Sequence, residues 1–180
     1  MRVYIPATLT MVADLTTSGT FESVGGTAFA LTPALRESYT SGDDEELAEA
    51  AMREAARASL RLLSAEADAP PRTAADDDTD GDRAPMPPRR VVVAADVEPV
   101  TLRPDLDTAV VKIPPSVPRS AIASVHVDVS EAEAAVVAAM SAVDAADLGD
   151  EDAELAVGDV DDHDLAWYAT QEIPFLLELL

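Results

Sequence analysis

The chain has 180 residues, which fits one domain of ordinary size, and 48% of them are hydrophobic, enough for a buried core. Acidic residues outnumber basic ones 35 to 12, and this formal net charge of −23 argues against direct binding to nucleic acid or anionic membranes. The absence of cysteine excludes disulfides, thiol nucleophiles and cysteine metal sites. A membrane span needs about 18 consecutive apolar residues, and no stretch approaches that length. No signal peptide is visible either, so we expect a soluble, cytoplasmic protein.

The first 40 residues predict one strand and two helices. Residues 2–5 read as a short strand, and Thr8 is well placed to cap the helix that follows. A second, short helix is predicted to begin after Thr32, with Pro33 in its first position. Proline is favourable there because its missing N–H would have no partner in the helix anyway.

The longest helical signal covers residues 42–66, and the other elements are expected to pack on it. Asp43 and Glu46 form a capping-box pattern, in which each side chain accepts a hydrogen bond from the other residue's backbone. Strong helix formers fill the interior, and an apolar stripe at helical spacing predicts the buried side. The stripe consists of Leu47, Ala51, Ala55, Ala58 and Leu62, with Met52, Ser59 and Leu63 beside it.

Three arginines at four-residue spacing, Arg53, Arg57 and Arg61, form a row on another side of this helix. In so acidic a chain, we interpret the row as a solvated face that is neutralised by acidic residues of other segments. The alternative is a binding surface for an anion or an acidic partner.

The middle of the chain changes character twice. Residues 67–88 carry five prolines and six aspartates, and we expect a disordered insertion within a single domain. Residues 89–97 include three consecutive valines and predict a central strand, and residues 107–113 and 121–127 predict two more. Because helices join the strand at 2–5 to the valine strand, a parallel pair is favoured.

The C-terminal part predicts two helices separated by a loop. Ser130 and Glu133 form a second capping-box pattern, which opens the first helix. Residues 144–160 are rich in acids and are expected to form a mobile loop. Residues 162–180 predict the last helix, which Pro174 should kink or break. The fold class is α+β, with α/β as the alternative: a small mixed sheet of about four strands with helices packed on it.

The sequence contains none of the common motifs of catalysis. Glycine-rich phosphate loops, G-x-S-x-G and H-E-x-x-H are all missing, and we predict no catalytic residue, no cofactor and no metal site. The acid-rich residues 159–164 offer oxygen ligands for a cation but lack the spacing of a calcium loop. Capping of the last helix by Asp161 or Asp162 is the preferred interpretation.

Aromatic and imidazole residues are assigned structural roles. His126 shares one strand face with Ser124 and Asp128, and a solvated or hydrogen-bonded structural role is preferred to catalysis. Trp167 and Tyr168 are predicted to be core residues.

A candidate binding site depends on the direction of the strands. If the three main strands run parallel, Thr8, Asp96 and Asp128 mark their carboxyl ends, where open α/β sheets bind ligands. Thr8 at a helix N-terminus could bind an anion, whereas the two aspartates would oppose one. Turn and capping roles are the preferred interpretation of all three.

Six segments, read together, carry a resemblance to a known family. They are MRVYIPATL, AFALTPALRE, AARASLRLL, RRVVVAADV, ASVHVD and DHDLAWYATQEIPFLL. As a set they resemble a family of small uncharacterised actinobacterial proteins, a domain of unknown function. The resemblance covers nearly the whole chain apart from the two acidic segments. It implies a single bacterial cytoplasmic domain, and it implies no activity, cofactor or catalytic residue.

Three hypotheses for the function follow from these observations. The leading one is a non-enzymatic interaction or regulatory module with a protein partner. The alternative is a small-molecule-binding protein, or an enzyme without a recognisable motif, with its site at the strand carboxyl ends. Mimicry of nucleic acid by the acidic surface is the third, and it conflicts with the expected disorder of the most acidic segments.

Overall fold

The computed structural model describes residues 1–69 and 86–180. Most of the predicted insertion at 67–88 therefore lies outside the described residues. The strands are β1 (Arg2–Ala7), β2 (Thr20–Glu22), β3 (Thr27–Phe29), β4 (Val91–Asp96), β5 (Thr101–Leu102), β6 (Val110–Lys112), β7 (Ser116–Pro118), β8 (Ile122–Asp128) and β9 (Leu165–Ala169). The helices are α1 (Leu9–Ser18), α2 (Pro33–Ser38), α3 (Asp44–Asp68), α4 (Glu133–Asp147), α5 (Glu151–Asp161) and α6 (Ile173–Glu178).

Seven strands form one sheet in the order β5-β6-β3-β1-β4-β8-β9, and β2 pairs separately with β7. The α+β class of a single domain is confirmed, but the main sheet is larger than the predicted four strands. The predicted parallel pairing of β1 with β4 is wrong, since Arg2 lies opposite Asp96 and Ala7 opposite Val91. The reason is the position of α3, whose Ser59 bonds the Ala7 carbonyl, so that the chain enters β4 where β1 ends.

Side chains of the sheet alternate between two cores. One face packs against α1 and α6 in a core that includes Ile5, Leu9, Leu15, Val93 and Ile173. The other face packs against α3 in a smaller core that includes Phe29, Ala51, Ala55 and Val92. Helices thus cover parts of both faces of the sheet, and β4 is buried on both sides, as its valines predict.

Helix α3 starts as the capping box predicts. The Asp43 carboxylate accepts hydrogen bonds from the backbone N–H groups of Glu45 and Glu46, both at 3.0 Å. The Glu46 carboxylate in turn accepts from the Asp43 N–H at 3.1 Å. The predicted apolar stripe is confirmed for most of its members, because the buried residues of α3 are Leu47, Ala51, Ala55, Ala56, Ser59, Leu60 and Leu63.

Helices α4 and α5 correct the predicted loop at 144–160. Gly149, at φ +86°, turns the chain between them, and the Asp150 carboxylate caps α5 by accepting from the Ala153 N–H at 2.9 Å. Acids in a first turn stabilise a helix, so the acidity of this segment is compatible with order. The apolar side of α5, with Ala153, Val157 and Val160, packs in a third core with α4 and with Leu60 and Leu63 of α3.

Three further predictions for the C-terminal part are wrong. Ser130 lies in a 3₁₀ turn and donates to the neighbouring Glu131 carboxylate, so no capping box opens α4. The predicted helix at 162–180 is instead strand β9 followed by α6, in whose first turn Pro174 fits without a kink. Trp167 is 60% exposed rather than in the core, while Tyr168 packs at the core's edge.

Candidate interaction surface

The arginine row of α3 is paired with acidic residues. Arg53 donates to Glu49 of the same helix at 2.7 Å. Arg61 donates two hydrogen bonds, of 2.8 and 2.7 Å, to Asp147 of α4. A guanidinium nitrogen of Arg57 lies 3.8 Å from the same carboxylate. Acidic residues of the chain itself therefore supply negative charge to the arginine row. This agrees with the interpretation of the row as a solvated face. A binding role for the row stays a prediction.

The three predicted strand-end residues do not meet at one site. Strand β4 runs antiparallel to both β1 and β8, so Asp96 lies at the opposite end of the sheet from Thr8 and Asp128. Thr8 caps α1 by accepting from the Met11 N–H at 3.3 Å. Asp96 accepts two hydrogen bonds from Arg2, at 2.9 and 2.8 Å, and this contact lowers the pKa of the Asp96 carboxyl.

Asp128 belongs to a buried ion cluster around Arg90, which the sequence analysis missed. The Arg90 side chain is 2% exposed and that of Asp128 is 0% exposed. Arg90 donates to both carboxylate oxygens of Asp128, each at 2.9 Å, and its backbone N–H adds a third bond of 2.8 Å. It also donates to Asp161 at 3.1 Å and to the His163 carbonyl at 2.8 Å. One guanidinium thus joins the end of β8, the end of α5 and the turn before β9.

The same contacts correct the interpretation of residues 159–164. Asp161 is the last residue of α5 and Asp162 its C-cap, so neither caps the start of a final helix. Burial raises the pKa of Asp161, and the neighbouring Arg90 offsets only part of this effect. Within residues 1–69 and 86–180, no group of three or more His, Asp and Glu residues is arranged to hold a metal ion.

His126 forms the hydrogen bond that its strand face predicts. Its Nε2 lies 3.1 Å from the Ser124 hydroxyl, opposite the buried face of Val125 and Val127. Burial, with a smaller effect of Arg2, lowers the pKa of His126, which keeps the imidazole neutral at neutral pH. A neutral imidazole beside a serine can activate a nucleophile, but Ser124 is only 4% exposed and cannot reach a substrate. This burial favours the predicted structural role of the pair.

The pairing of β8 with its two neighbours shows which backbone groups of β9 point away from the sheet. The Asp128 N–H donates to the Arg90 carbonyl at 3.1 Å, in the direction of β4. Because neighbouring residues of a strand point their backbone groups to opposite sides, Val127 points at β9, where its partner is Ala166. Trp167, the next residue of β9, therefore turns its N–H and C=O away from β8.

Leu165 has the same outward orientation, and so has Ala169 at the other end of the strand. The outward groups of Ala169 are satisfied locally, because its N–H donates to the Glu172 carboxylate at 2.7 Å and its carbonyl accepts from the Glu172 N–H at 2.9 Å. Among the described strands, β9 pairs only with β8. Leu165 and Trp167 are thus left with two donors and two acceptors at the edge of the sheet.

Within the described residues, this edge lacks the usual protection. Proteins shield edge strands with charged residues, prolines, bulges or very short strands. The opposite edge follows that rule, since β5 has two residues. Strand β9 has five residues, Leu-Ala-Trp-Tyr-Ala, with no charge and no proline, and its register with β8 runs without a shift.

A protein-family model matches nearly the whole chain. Residues 1–177 match the model of a family described as "Family of unknown function (DUF6912)". The chain belongs to this family. No curated protein and no solved structure matched it. The family match confirms the resemblance to a domain of unknown function, and it extends from β1 into α6.

In this DUF6912 chain, acidic residues lead into the free edge. Asp162 and Asp164 lie just before β9 and are exposed, and neither forms an ion pair with another described residue. Asp161, in contrast, is held by Arg90. None of the helices in the described ranges has the length and hydrophobicity that a bilayer crossing requires. Around β9, the described residues of the DUF6912 domain therefore present an unpaired strand edge, the exposed Trp167 side chain and two carboxylates without an ion pair.

Proposed function

We propose that the chain is a non-enzymatic interaction module, which binds an extended segment of a partner protein along the edge of β9. The observation that supports this most directly is the pair of outward-facing residues, Leu165 and Trp167, on an edge without protection. Strand addition is a common mode of peptide recognition, in which backbone hydrogen bonds provide affinity and side chains provide specificity.

The surroundings of β9 favour this mode. Trp167 is 60% exposed, and tryptophan is among the residues that most often dominate binding energy at interfaces. The Arg90 cluster holds the turn before β9 through the His163 carbonyl. A strand that is already fixed in an extended conformation loses little conformational entropy when a partner binds, so the edge is preorganised.

Location and source are parts of the same proposal. The resemblance of the six quoted segments to small actinobacterial proteins supports a cytoplasmic protein of an actinobacterium, as the sequence analysis expects. The net charge of −23 supports a protein partner rather than direct contact with nucleic acid.

A pair of proline variants tests the proposal. Trp167→Pro removes an N–H that points outward, so the edge is blocked while the bonds to β8 remain. Ala166→Pro is the matched control: it removes an N–H that points at β8, and the melting temperature should fall. Peptides of nine residues, selected from a random displayed library on the wild-type chain, serve as ligands.

We expect the selected peptides to bind Trp167→Pro at least about tenfold more weakly, the size of one lost anchor of about 1.4 kcal/mol. Trp167→Ala should lose less, since it removes the ring and keeps the backbone donor. Amide hydrogen exchange of Leu165 and Trp167 should slow when a peptide binds. Peptides that bind Trp167→Pro with unchanged affinity, or that protect only amides elsewhere, would contradict the proposal.

A further inference from the structure

We infer that the segment added to β9 is cationic, carrying Lys or Arg side chains that contact Asp162 and Asp164. This inference rests on the proposed function and names the chemistry of the partner. Its basis is the distribution of charge around the edge. The two carboxylates are exposed and have no cationic partner among the described residues, and the strand after them is uncharged.

Arg90, which contacts the turn before β9, forms no ion pair with these carboxylates. Arg90 is buried, and its donors are occupied by Asp128, Asp161 and the His163 carbonyl. The described residues therefore supply no cation to Asp162 and Asp164 in this arrangement, and a partner can supply one.

The spacing of residues along a strand allows a partner strand to place cationic side chains near both Asp164 and the Trp167 ring. Residues of a strand rise by roughly 3.3 Å each, so Asp164 lies about 10 Å along the edge from Trp167. A partner residue about three positions from the one opposite Trp167 can therefore reach the carboxylate. A second cationic side chain can lie on the exposed indole face, where the ring attracts positive charge.

A second copy of the chain fits the edge less well than a basic segment. Two copies would each bring a formal charge of −23, and pairing of their β9 strands adds no cation to either acidic flank. Like charges oppose association and opposite charges favour it, over a screening distance of about 8 Å at physiological salt.

Three acetylated and amidated octapeptides test the inference: alternating Lys-Val, Thr-Val and Glu-Val. Trp167 is the only tryptophan of the chain, so its fluorescence reports binding at this edge directly. Affinities come from calorimetry, which also serves the variants without tryptophan. We expect the Lys-Val peptide to bind at least about tenfold more tightly than the Thr-Val peptide at low salt, and the ratio to shrink as salt screens the charges.

Two charge variants with equal loss of charge provide the control. Asp162→Asn with Asp164→Asn should weaken binding of the Lys-Val peptide several-fold and leave the Thr-Val peptide unchanged. Glu37→Gln with Glu45→Gln removes two exposed acids, one in α2 and one in the first turn of α3, and should change neither affinity.

The outcomes separate the inference from the proposed function. Equal binding of the Lys-Val and Thr-Val peptides, lost for both in Trp167→Pro, would overturn the cationic partner and leave the edge function standing. Lys-Val binding that persists in Trp167→Pro would show attraction to the acidic surface at large and overturn both. A dimer that light scattering detects in the wild type and not in Trp167→Pro would identify a second copy as the occupant and overturn the inference.

Discussion

The arginine row on α3 and the single residue Arg90 differ in their exposure to water. The row on α3 is prominent in the sequence, yet the side chains of Arg53, Arg57 and Arg61 are 66%, 34% and 42% exposed. Arg90 follows another arginine in front of a run of valines, and its side chain is 2% exposed. Exposed ion pairs contribute little to stability, whereas a buried charge that loses its partner is costly. The inconspicuous arginine should therefore matter more for the fold.

The largest expected effect is that of Arg90→Met. The substitution leaves the Asp128 carboxylate buried without its cation, and breaking a buried pair in this way costs about 3–5 kcal/mol. It also frees Asp161 and the His163 carbonyl, so the start of β9 loses an anchor. Urea denaturation followed by circular dichroism measures the change in the free energy of unfolding.

A double variant and an exposed pair sharpen this test. Arg90→Met with Asp128→Leu should recover much of the loss, because apolar residues of similar volume can replace a buried ion pair. Arg103→Gln breaks the exposed pair with Asp105 and should leave the free energy of unfolding almost unchanged. If Arg90→Met cost no more than Arg103→Gln, burial would not be the property that separates the two sets.

Ser59→Ala removes an uncharged anchor next to the same cluster and should have the next largest effect. The Ser59 hydroxyl is buried, donates to the Ala7 carbonyl at 2.7 Å and accepts from the Val91 N–H at 3.0 Å. Alanine leaves both backbone groups unsatisfied, at a cost of about 1–3 kcal/mol. Ser141→Ala, which removes an exposed hydroxyl from α4, is the control and should change the free energy of unfolding by less than about 0.5 kcal/mol.

Arg61→Gln tests how much the exposed arginine row of α3 contributes to stability. It breaks two hydrogen bonds to Asp147, but both side chains are partly in water, so we expect a loss of about 0.2–1 kcal/mol. The loss should shrink when the salt concentration of the denaturation experiment is raised. A loss as large as that of Ser59→Ala would mean that α4 depends on this pair for its position.

What could be predicted from the sequence depended on local patterns. The capping box of Asp43 and Glu46 lies within one turn, so it is visible without the fold, and α3 was predicted nearly to its observed bounds. Helix α5 had a comparable signal in the buried Ala153, Val157 and Val160, but the acids between them were interpreted as a loop. Charge at a helix start and charge in a disordered segment look alike unless the apolar spacing is weighed as well.

The errors concern contacts between residues distant in the chain. Strand β9 depends on pairing with β8, since five residues with two aromatics do not decide between strand and helix on their own. The burial of Arg90 depends on Asp128, 38 residues further on. The direction of β4 depends on the path of α3 across the sheet, and the predicted strand-end site was lost with it.

His126 extends the comparison to a half-buried group, whose effect should be the smallest. Burial lowers the pKa of this imidazole in the folded chain, below its ordinary value of 6.5. Above that pH the ring is neutral in both states and contributes nothing to the pH dependence. As the pH falls below 6.5, the unfolded chain takes up a proton that the folded chain does not, and stability is lost until the lower folded pKa is reached.

The measurement is the change in melting temperature between pH 7.5 and pH 5.5 for the wild type and for His126→Gln. The wild type should lose more than the variant over this interval, because only the wild type carries the desolvated imidazole. Asp161 is present in both proteins, so its titration cancels in the difference; burial raises the pKa of Asp161, which alone would stabilise the fold as the pH falls. Parallel curves for the two proteins would mean that the folded chain accommodates the imidazolium beside Arg2, and that partial burial, unlike the complete burial of Arg90, imposes no measurable penalty on charge.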